Sequence, residues 1–177
     1  MSSIVSLLFA ALGVLALLIP HWVRIPLGVL AIGGLLWAAF FAQKLSRTDA
    51  LTGLQNRHGL NTLIQKKRNS TAAVGVLFLD LDLLKTTNDH LGYSQGDLRL
   101  RQLAALLRQE TRTSGQAFRI GGDEFLVVLS LPDNAEHLSE ILLQSGIGVS
   151  VGIARGPARE LSALIATASR NMQQSRS

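Results

Sequence analysis

Arg119-Ile120-Gly121-Gly122-Asp123-Glu124-Phe125 sets two glycines between an apolar run and a pair of carboxylates. Gly-Gly flanked by apolar residues marks a two-residue hairpin, because primed turns need a positive φ that glycine takes at little cost. The stretch predicts a β-hairpin, with Phe118-Arg119-Ile120 leading in, Phe125 to Leu131 leading out, and Asp123 just past the turn. Upstream, Phe78-Leu79-Asp80-Leu81-Asp82 ends another apolar run in acid. Asp80 and Asp82 are spaced two apart, which at a strand's end points both to one face. If the two strands are neighbours, three or four carboxylates converge on one spot. Such a cluster repels itself unless a hard cation holds it, and Mg²⁺ is commonly bound by one or two carboxylates plus substrate phosphates. The pattern points to metal-assisted phosphoryl chemistry.

Working outward, Val74 to Leu79 reads as a strand buried on both faces, since it carries no polar residue. Asn56 to Arg68 reads as a helix with Leu60, Leu63 and Ile64 on one side. A second helix is expected over Asp97 to Glu110, with Asp97 as its N-cap and Leu100, Leu103, Ala104 and Leu107 at helical spacing. Asn88-Asp89 has turn chemistry. Ala135 to Gln144 predicts a short helix and Ile147 to Ala154 a glycine-rich strand. Leu161, Leu164, Ile165, Ala168 and Met172 make a last amphipathic helix. Strands alternating with helices around one hairpin predict an α/β fold, a central mixed sheet with helices packed on it.

The front of the chain differs in kind. Ile4 to Pro20 carries no charge, and Ile25 to Ala42 repeats this after a short break at His21-Trp22-Val23-Arg24. Seventeen or eighteen helical residues reach about 26 Å, close to the thickness of a hydrocarbon core. The reading is a two-helix transmembrane hairpin at about 4–20 and 25–42, a short linker over 44–48, and one domain over 49–177. Met1-Ser2-Ser3 lacks the basic start of a cleaved signal peptide. Lys44, Arg47, Arg57, Lys66, Lys67 and Arg68 follow the second span against Arg24 in the loop, so the positive-inside rule expects a multi-pass cytoplasmic (inner) membrane protein of a bacterium with its C-terminal domain in the cytoplasm. The net charge of +5 does not signal nucleic-acid binding. The basic residues are scattered, Lys66-Lys67-Arg68 being the one run, and no aromatic platform accompanies them. The chain has no cysteine, which excludes disulfides and thiolate metal sites.

Gly121-Gly122-Asp123-Glu124-Phe125 resembles the signature of the GGDEF family, the diguanylate cyclases. Asp49-Ala-Leu-Thr-Gly-Leu-Gln-Asn-Arg57 resembles the family's opening motif, Phe78 to Asp97 its metal- and guanine-binding segment, and Val149 to Ala154 a late core strand. The blocks stand in the family's order. The resemblance implies a nucleotidyl-cyclase and polymerase-palm-like domain that condenses two GTP into cyclic di-GMP with release of pyrophosphate. It makes Asp80, Asp123 and the Leu81 carbonyl the ligands of Mg²⁺, or of Mn²⁺ in its place. It assigns Asn88 and Asp97 to guanine, Lys85 to phosphate, and Gly121 and Gly122 to close approach of the nucleotide phosphates. Glu124 belongs at the active site, as a second metal ligand, a base for the attacking hydroxyl, or a cap on the hairpin. Asp82 reads equally as a structural hydrogen-bonding partner. Each protomer supplies half a site, so the resemblance also implies a homodimer. Gly28, Ala31, Gly33 and Gly34 are small enough to bring helices together in the second span.

The chain departs from the family's pattern in several places. Leu83-Leu84-Lys85 replaces an aromatic with leucine, and Tyr93 stands where histidine is usual. The closing helix has Ser169, Gln173 and Arg176 in place of Asp, Tyr and Lys. Arg112-Thr113-Ser114-Gly115 keeps the arginine of the product-binding Arg-x-x-Asp and loses its acid. These departures leave a second reading open, a catalytically weak GTP- or cyclic-di-GMP-binding membrane regulator.

Overall fold

The computed structural model describes Pro20, residues 29–38 and residues 47–175. The chain divides into two compact units, Met1–Ser46 and Arg47–Ser177. In the first, residues 29–38 are helical, with Val29, Leu30, Ile32, Leu35, Leu36 and Trp37 exposed. Among the described residues no helix is long and apolar enough to cross a membrane. The spans expected at about 4–20 and 25–42 lie outside the described residues except for Pro20 and that stretch.

The second unit is organised by a mixed sheet. Its strands are β1 (Gln55–Asn56), β2 (Ala73–Leu81), β3 (Gly115–Arg119), β4 (Glu124–Leu129) and β5 (Val149–Pro157). They lie in the order β1-β3-β4-β2-β5, with β1 parallel to β3 and the remaining pairs antiparallel. Around them pack α1 (Arg57–Lys67), α2 (Leu84–Leu91), α3 (Tyr93–Thr111), α4 (Asn134–Gln144) and α5 (Leu161–Ser175).

Alternation along β2 and β4 splits the core into two layers. Leu77, Leu79 and Leu81 join Phe125, Val127 and Leu129 on one face, packed by Leu100, Leu103 and Leu107 of α3 and Leu138 and Leu142 of α4. Val74, Val76 and Phe78 join Phe118, Leu126 and Val128 on the other, packed by Leu60 and Leu63 of α1 and Leu161, Leu164 and Met172 of α5. Burying each such leucine or phenylalanine contributes about 1.5–3 kcal/mol. Period two therefore sends odd-numbered residues of β2 to one layer and even-numbered ones, Asp80 included, to the other.

Several boundaries differ from the sequence reading. β2 runs two residues past Leu79, because β4 pairs with it out to Asp80 and β5 out to Leu81. Leu84–Leu91 is helical rather than a turn at Asn88-Asp89. Gly92, at φ 84°, separates α2 from α3 and stands as the N-cap of α3. That helix begins at Tyr93, so Asp97 lies inside it and is not its cap. Asn56, read as the first helical residue, instead caps α1, its Oδ1 accepting from the N–H groups of His58 at 2.9 Å and Gly59 at 3.1 Å.

Gly152 of β5 sits against α5, where a Cβ would overlap the Ala168 carbonyl oxygen and the Met172 backbone nitrogen. Neither backbone atom can yield without moving the helix. Gly152→Ala is expected to destabilise the domain by about 3 kcal/mol. Thermal unfolding checks this, and an unchanged midpoint would contradict the packing of α5 on β5.

Candidate active site

The register of β2 composes the site. Asp80 lies across from Glu124 on β4 and from Ser150 on β5. One residue further, the Leu81 N–H donates to the Asp123 carbonyl at 3.0 Å, which ties the strand end to the glycine loop. Asp80, Leu81, Asp82, Lys85 and Asp123 line one cavity of about 620 Å³. The two acids called as metal ligands, the backbone residue between them and the phosphate lysine thus share one concave surface.

Of the three or four carboxylates expected to converge, three, those of Asp80, Asp82 and Asp123, border this cavity. Among the described residues, no three acidic or histidine side chains are gathered as a group that could hold a metal ion. Asp82 lies beyond the end of β2, its N–H bonded to the Gly148 carbonyl at 3.0 Å and its Oδ1 accepting from the Ser150 hydroxyl at 2.7 Å. Its structural reading is the one the geometry favours. Glu124 lines a separate cavity of about 460 Å³ between α1 and α5, with Leu60, Phe78, Ile165 and Ser169. Its carboxylate lies 4.0 Å from the Arg57 guanidinium. What Asp80, Asp123 and the Leu81 carbonyl offer is an all-oxygen donor set beside a cavity, which suits a hard divalent cation whose shell is completed by phosphate.

The hairpin connection is longer than a two-residue turn. It spans Ile120 to Asp123, with the N–H groups of Ile120 and Gly121 both reaching the Glu124 carbonyl, at 2.9 and 3.3 Å. Neither Gly121 nor Gly122 has a left-handed φ. A Cβ at Gly121 would lie 2.5 Å from Glu124 Oε2, so a larger residue there would require the Glu124 side chain to shift. Gly122 is exposed with open space around it, so its backbone can be approached closely.

Two arginines hold this loop. Arg57 donates through Nε and Nη2 to the Ile120 carbonyl at 3.0 and 2.8 Å. Arg119 donates through Nε and Nη2 to the Gly122 carbonyl at 3.2 and 2.7 Å, and its Nη1 meets Asp49 Oδ1 at 3.1 Å. Asp49 also accepts from the Thr52 N–H at 2.9 Å and hydroxyl at 2.6 Å. Burial pushes the Asp49 carboxyl upward, but the bonds from Thr52 and Arg119 outweigh it and hold the carboxyl below its ordinary range. The opening motif is thereby fastened to the signature loop, a link between residues 70 apart in sequence.

Asn88 of α2 packs against Gly96 of α3, the residue before Asp97. Asn88 Oδ1 is buried with no hydrogen bond from the protein, and it fills the space a side chain at Gly96 would take. Asp97 is half-exposed, 4.0 Å from Arg101. His58 and His90 are exposed. Arg176 lies outside the described residues, while Gln173 is exposed. Ser150, which holds Asp82, went unread in sequence; it lies on the strand predicted over Ile147 to Ala154, and its place beside Asp80 comes from the pairing of β5 with β2.

These features define an α/β domain that presents oxygen ligands and a lysine around one cavity at the end of its central strand. The sequence pattern of the diguanylate cyclase GGDEF domain matches residues 46–177. The chain belongs to that family. It is 39% identical over 128 residues to the probable diguanylate cyclase DgcJ of Escherichia coli K12, covering 63% of this chain and 26% of that protein. It is 41% identical over 85 residues to the diguanylate cyclase DgcS of Shewanella oneidensis, covering 46% of this chain and 29% of that protein. The chain therefore spans less than a third of the length of these relatives. Among solved structures, a sensory box/GGDEF family protein of Caulobacter crescentus superposes with a TM-score of 0.64 at 29% identity, over 74% of this chain and 98% of that one.

Because the Asp49 carboxyl is depressed in the folded chain, its contribution to stability is complete above the unfolded carboxylate range. It is lost as pH falls through the lower folded value. Asp49→Asn is expected to lower the thermal midpoint at neutral pH and to weaken its decline below about pH 4. Unfolding curves of parent and variant across that range check the sign.

Proposed function

We propose that the chain is a membrane-anchored diguanylate cyclase, condensing two GTP into cyclic di-GMP with release of pyrophosphate. The observation that carries this reading is the placement of Asp80, Leu81, Lys85 and Asp123 around one cavity in a domain of the GGDEF family. Relatives at about 40% identity named as diguanylate cyclases support it.

In this reading Asp80, Asp123 and the Leu81 carbonyl hold Mg²⁺, which Mn²⁺ can replace. The metal supplies Lewis-acid polarisation of the α-phosphate and a lower pKa for the attacking 3′-hydroxyl. Lys85, exposed on the cavity wall, pairs with phosphate. Gly121 and Gly122 leave room for the phosphates at the loop. Asn88 and Asp97 read guanine, the carboxylate accepting from N1–H and N2–H₂. Glu124, held beside Arg57, borders the site from the adjoining cavity, where it would serve as a second metal ligand or a base for the attacking hydroxyl. Asp82 keeps the turn in place through Ser150. Two protomers present their GTP molecules to each other, so a homodimer completes the site. Positioning and charge neutralisation carry most of the catalysis. The apolar segments at about 4–20 and 25–42 anchor the domain over 49–177 to the bacterial inner membrane, catalytic side in the cytoplasm, and nucleic acid is not a partner.

Turnover of the full-length chain with GTP and Mg²⁺, read by mass spectrometry, tests the activity. Cyclic di-GMP is expected, and Asp123→Ala is expected to lower its rate roughly a thousandfold, since the charge stabilisation at stake is several kcal/mol. GTP binding without product from a folded dimer would favour the regulator reading, to which the altered Ser169 and Gln173 lend weight.

Two further outcomes follow from the site's packing. Gly96→Ala must displace the Asn88 side chain and is expected to raise KM for GTP about tenfold, the cost of one lost buried hydrogen bond. Gly115 stands where the family's product-binding acid would be, and a Cβ there would lie 2.5 Å from the Val128 carbonyl oxygen. Added cyclic di-GMP is accordingly expected to leave initial rates unchanged, and strong inhibition would contradict this.

A further inference from the structure

Leu83 follows directly on Asp82 and has φ 56° and ψ 25°, and among the described residues it is the one non-glycine with positive φ. A left-handed conformation costs an ordinary residue about 1–2 kcal/mol. Burial does not recover that cost, because Leu83 is 74% exposed. Strain of this kind persists where neighbouring bonds over-determine the backbone. Those bonds are present. The Leu83 carbonyl accepts from the Thr87 N–H at 2.9 Å and from the Thr87 hydroxyl at 3.0 Å.

The Thr87 hydroxyl is held in turn. It accepts from Arg99 Nη1 at 2.9 Å, a charge-assisted bond that fixes the hydroxyl proton toward Leu83. Arg99 Nη2 reaches the Ile147 carbonyl at 2.8 Å. The next carbonyl, that of Gly148, accepts from the Asp82 N–H at 3.0 Å. One guanidinium therefore grips both sides of the turn that follows Asp80, Leu83 through Thr87 and Asp82 through the 147–148 backbone. Among the described residues, the hydrogen bonds of the half-buried Arg99 run to Thr87 and Ile147 rather than to a carboxylate.

We propose that Arg99, acting through Thr87, is a positioning residue that holds the Asp80–Leu83 turn in its metal-binding shape. A planar fork meets two acceptors at once, which a lysine ammonium on a flexible stem does not reproduce. Partners behind a metal ligand typically tune affinity by ten- to a hundredfold. The inference rests on the assignment of Asp80, Leu81 and Asp123 as the cation's ligands, so its test includes a variant that probes that assignment alone.

The probe is Mn²⁺ with a non-hydrolysable GTP analogue. Binding to the full-length chain in detergent is followed through the electron paramagnetic resonance of free Mn²⁺. Arg99→Lys and Thr87→Val are each expected to weaken Mn²⁺ binding about tenfold. Leu83→Asn, introduced into the Thr87→Val background, is expected to restore most of that loss, because asparagine takes the left-handed conformation more readily than leucine. Thermal midpoints measured alongside identify any variant that fails to fold, and Thr87→Val changes the fewest atoms. Parent-like Mn²⁺ binding in both variants, with binding lost in Asp123→Ala, overturns the brace and leaves the metal site standing. A lowered midpoint with unchanged Mn²⁺ binding overturns it as well, as does a loss that Leu83→Asn leaves in place. Parent-like binding in Asp123→Ala removes the ligand assignment and the brace with it.

Discussion

The pairing of β2 on both edges is the constraint on which the rest of this domain depends. Each residue from Gly75 to Asp80 has a partner on β4 and another on β5. Both faces of the strand are buried in separate apolar layers, so a slip of one residue would exchange the layers and turn Asp80 toward the leucines of α3 and α4. The register is therefore fixed by the apolar residues, and the acid at the strand's end inherits its position from them. Asp80 faces Glu124 and Ser150 because Val76 and Phe78 must face α1 and α5.

The glycine loop needs separate fastening, since Ile120 to Asp123 lie outside the ladder. Its carbonyls at Ile120 and Gly122 are taken by Arg57 and Arg119. Asp49 draws Arg119 toward the opening motif, and this charged bond is only partly exposed, so solvent screens it less than a surface pair. A displacement of Asp49 would pass to Gly122 through a single guanidinium. The first turn of the domain and the signature loop thus behave as one mechanical piece.

Much of this was legible in the residues. The apolar run before Asp80, the leucine spacing of α3 and the flanking of the glycine loop by strands are local patterns, and local patterns survive folding. What escaped was set by distance or by balance. Asn88-Asp89 has good turn chemistry, yet Leu84 is buried and α2 forms against α3, so tertiary packing overrides the local preference. Asp97 looks like a cap only if the helix starts there, and Gly92 starts it earlier. A fourth carboxylate is missing from the cavity that Asp80, Asp82 and Asp123 line, because Glu124 turns toward Arg57 and lines the neighbouring one. The arginine clamps join residues more than sixty apart, which no periodicity announces.

The account stands on one claim, that the strand end and the glycine loop together hold a metal-bound nucleotide. A crystal structure of the chain with Mn²⁺ and a non-hydrolysable GTP analogue, with anomalous scattering used to locate the metal, tests it directly. The account predicts a Mn²⁺ peak ligated by Asp80, Asp123 and the Leu81 carbonyl, with the guanine edge at Asn88 and Asp97. A metal bound elsewhere, or a nucleotide seated in the cavity between α1 and α5, would contradict it.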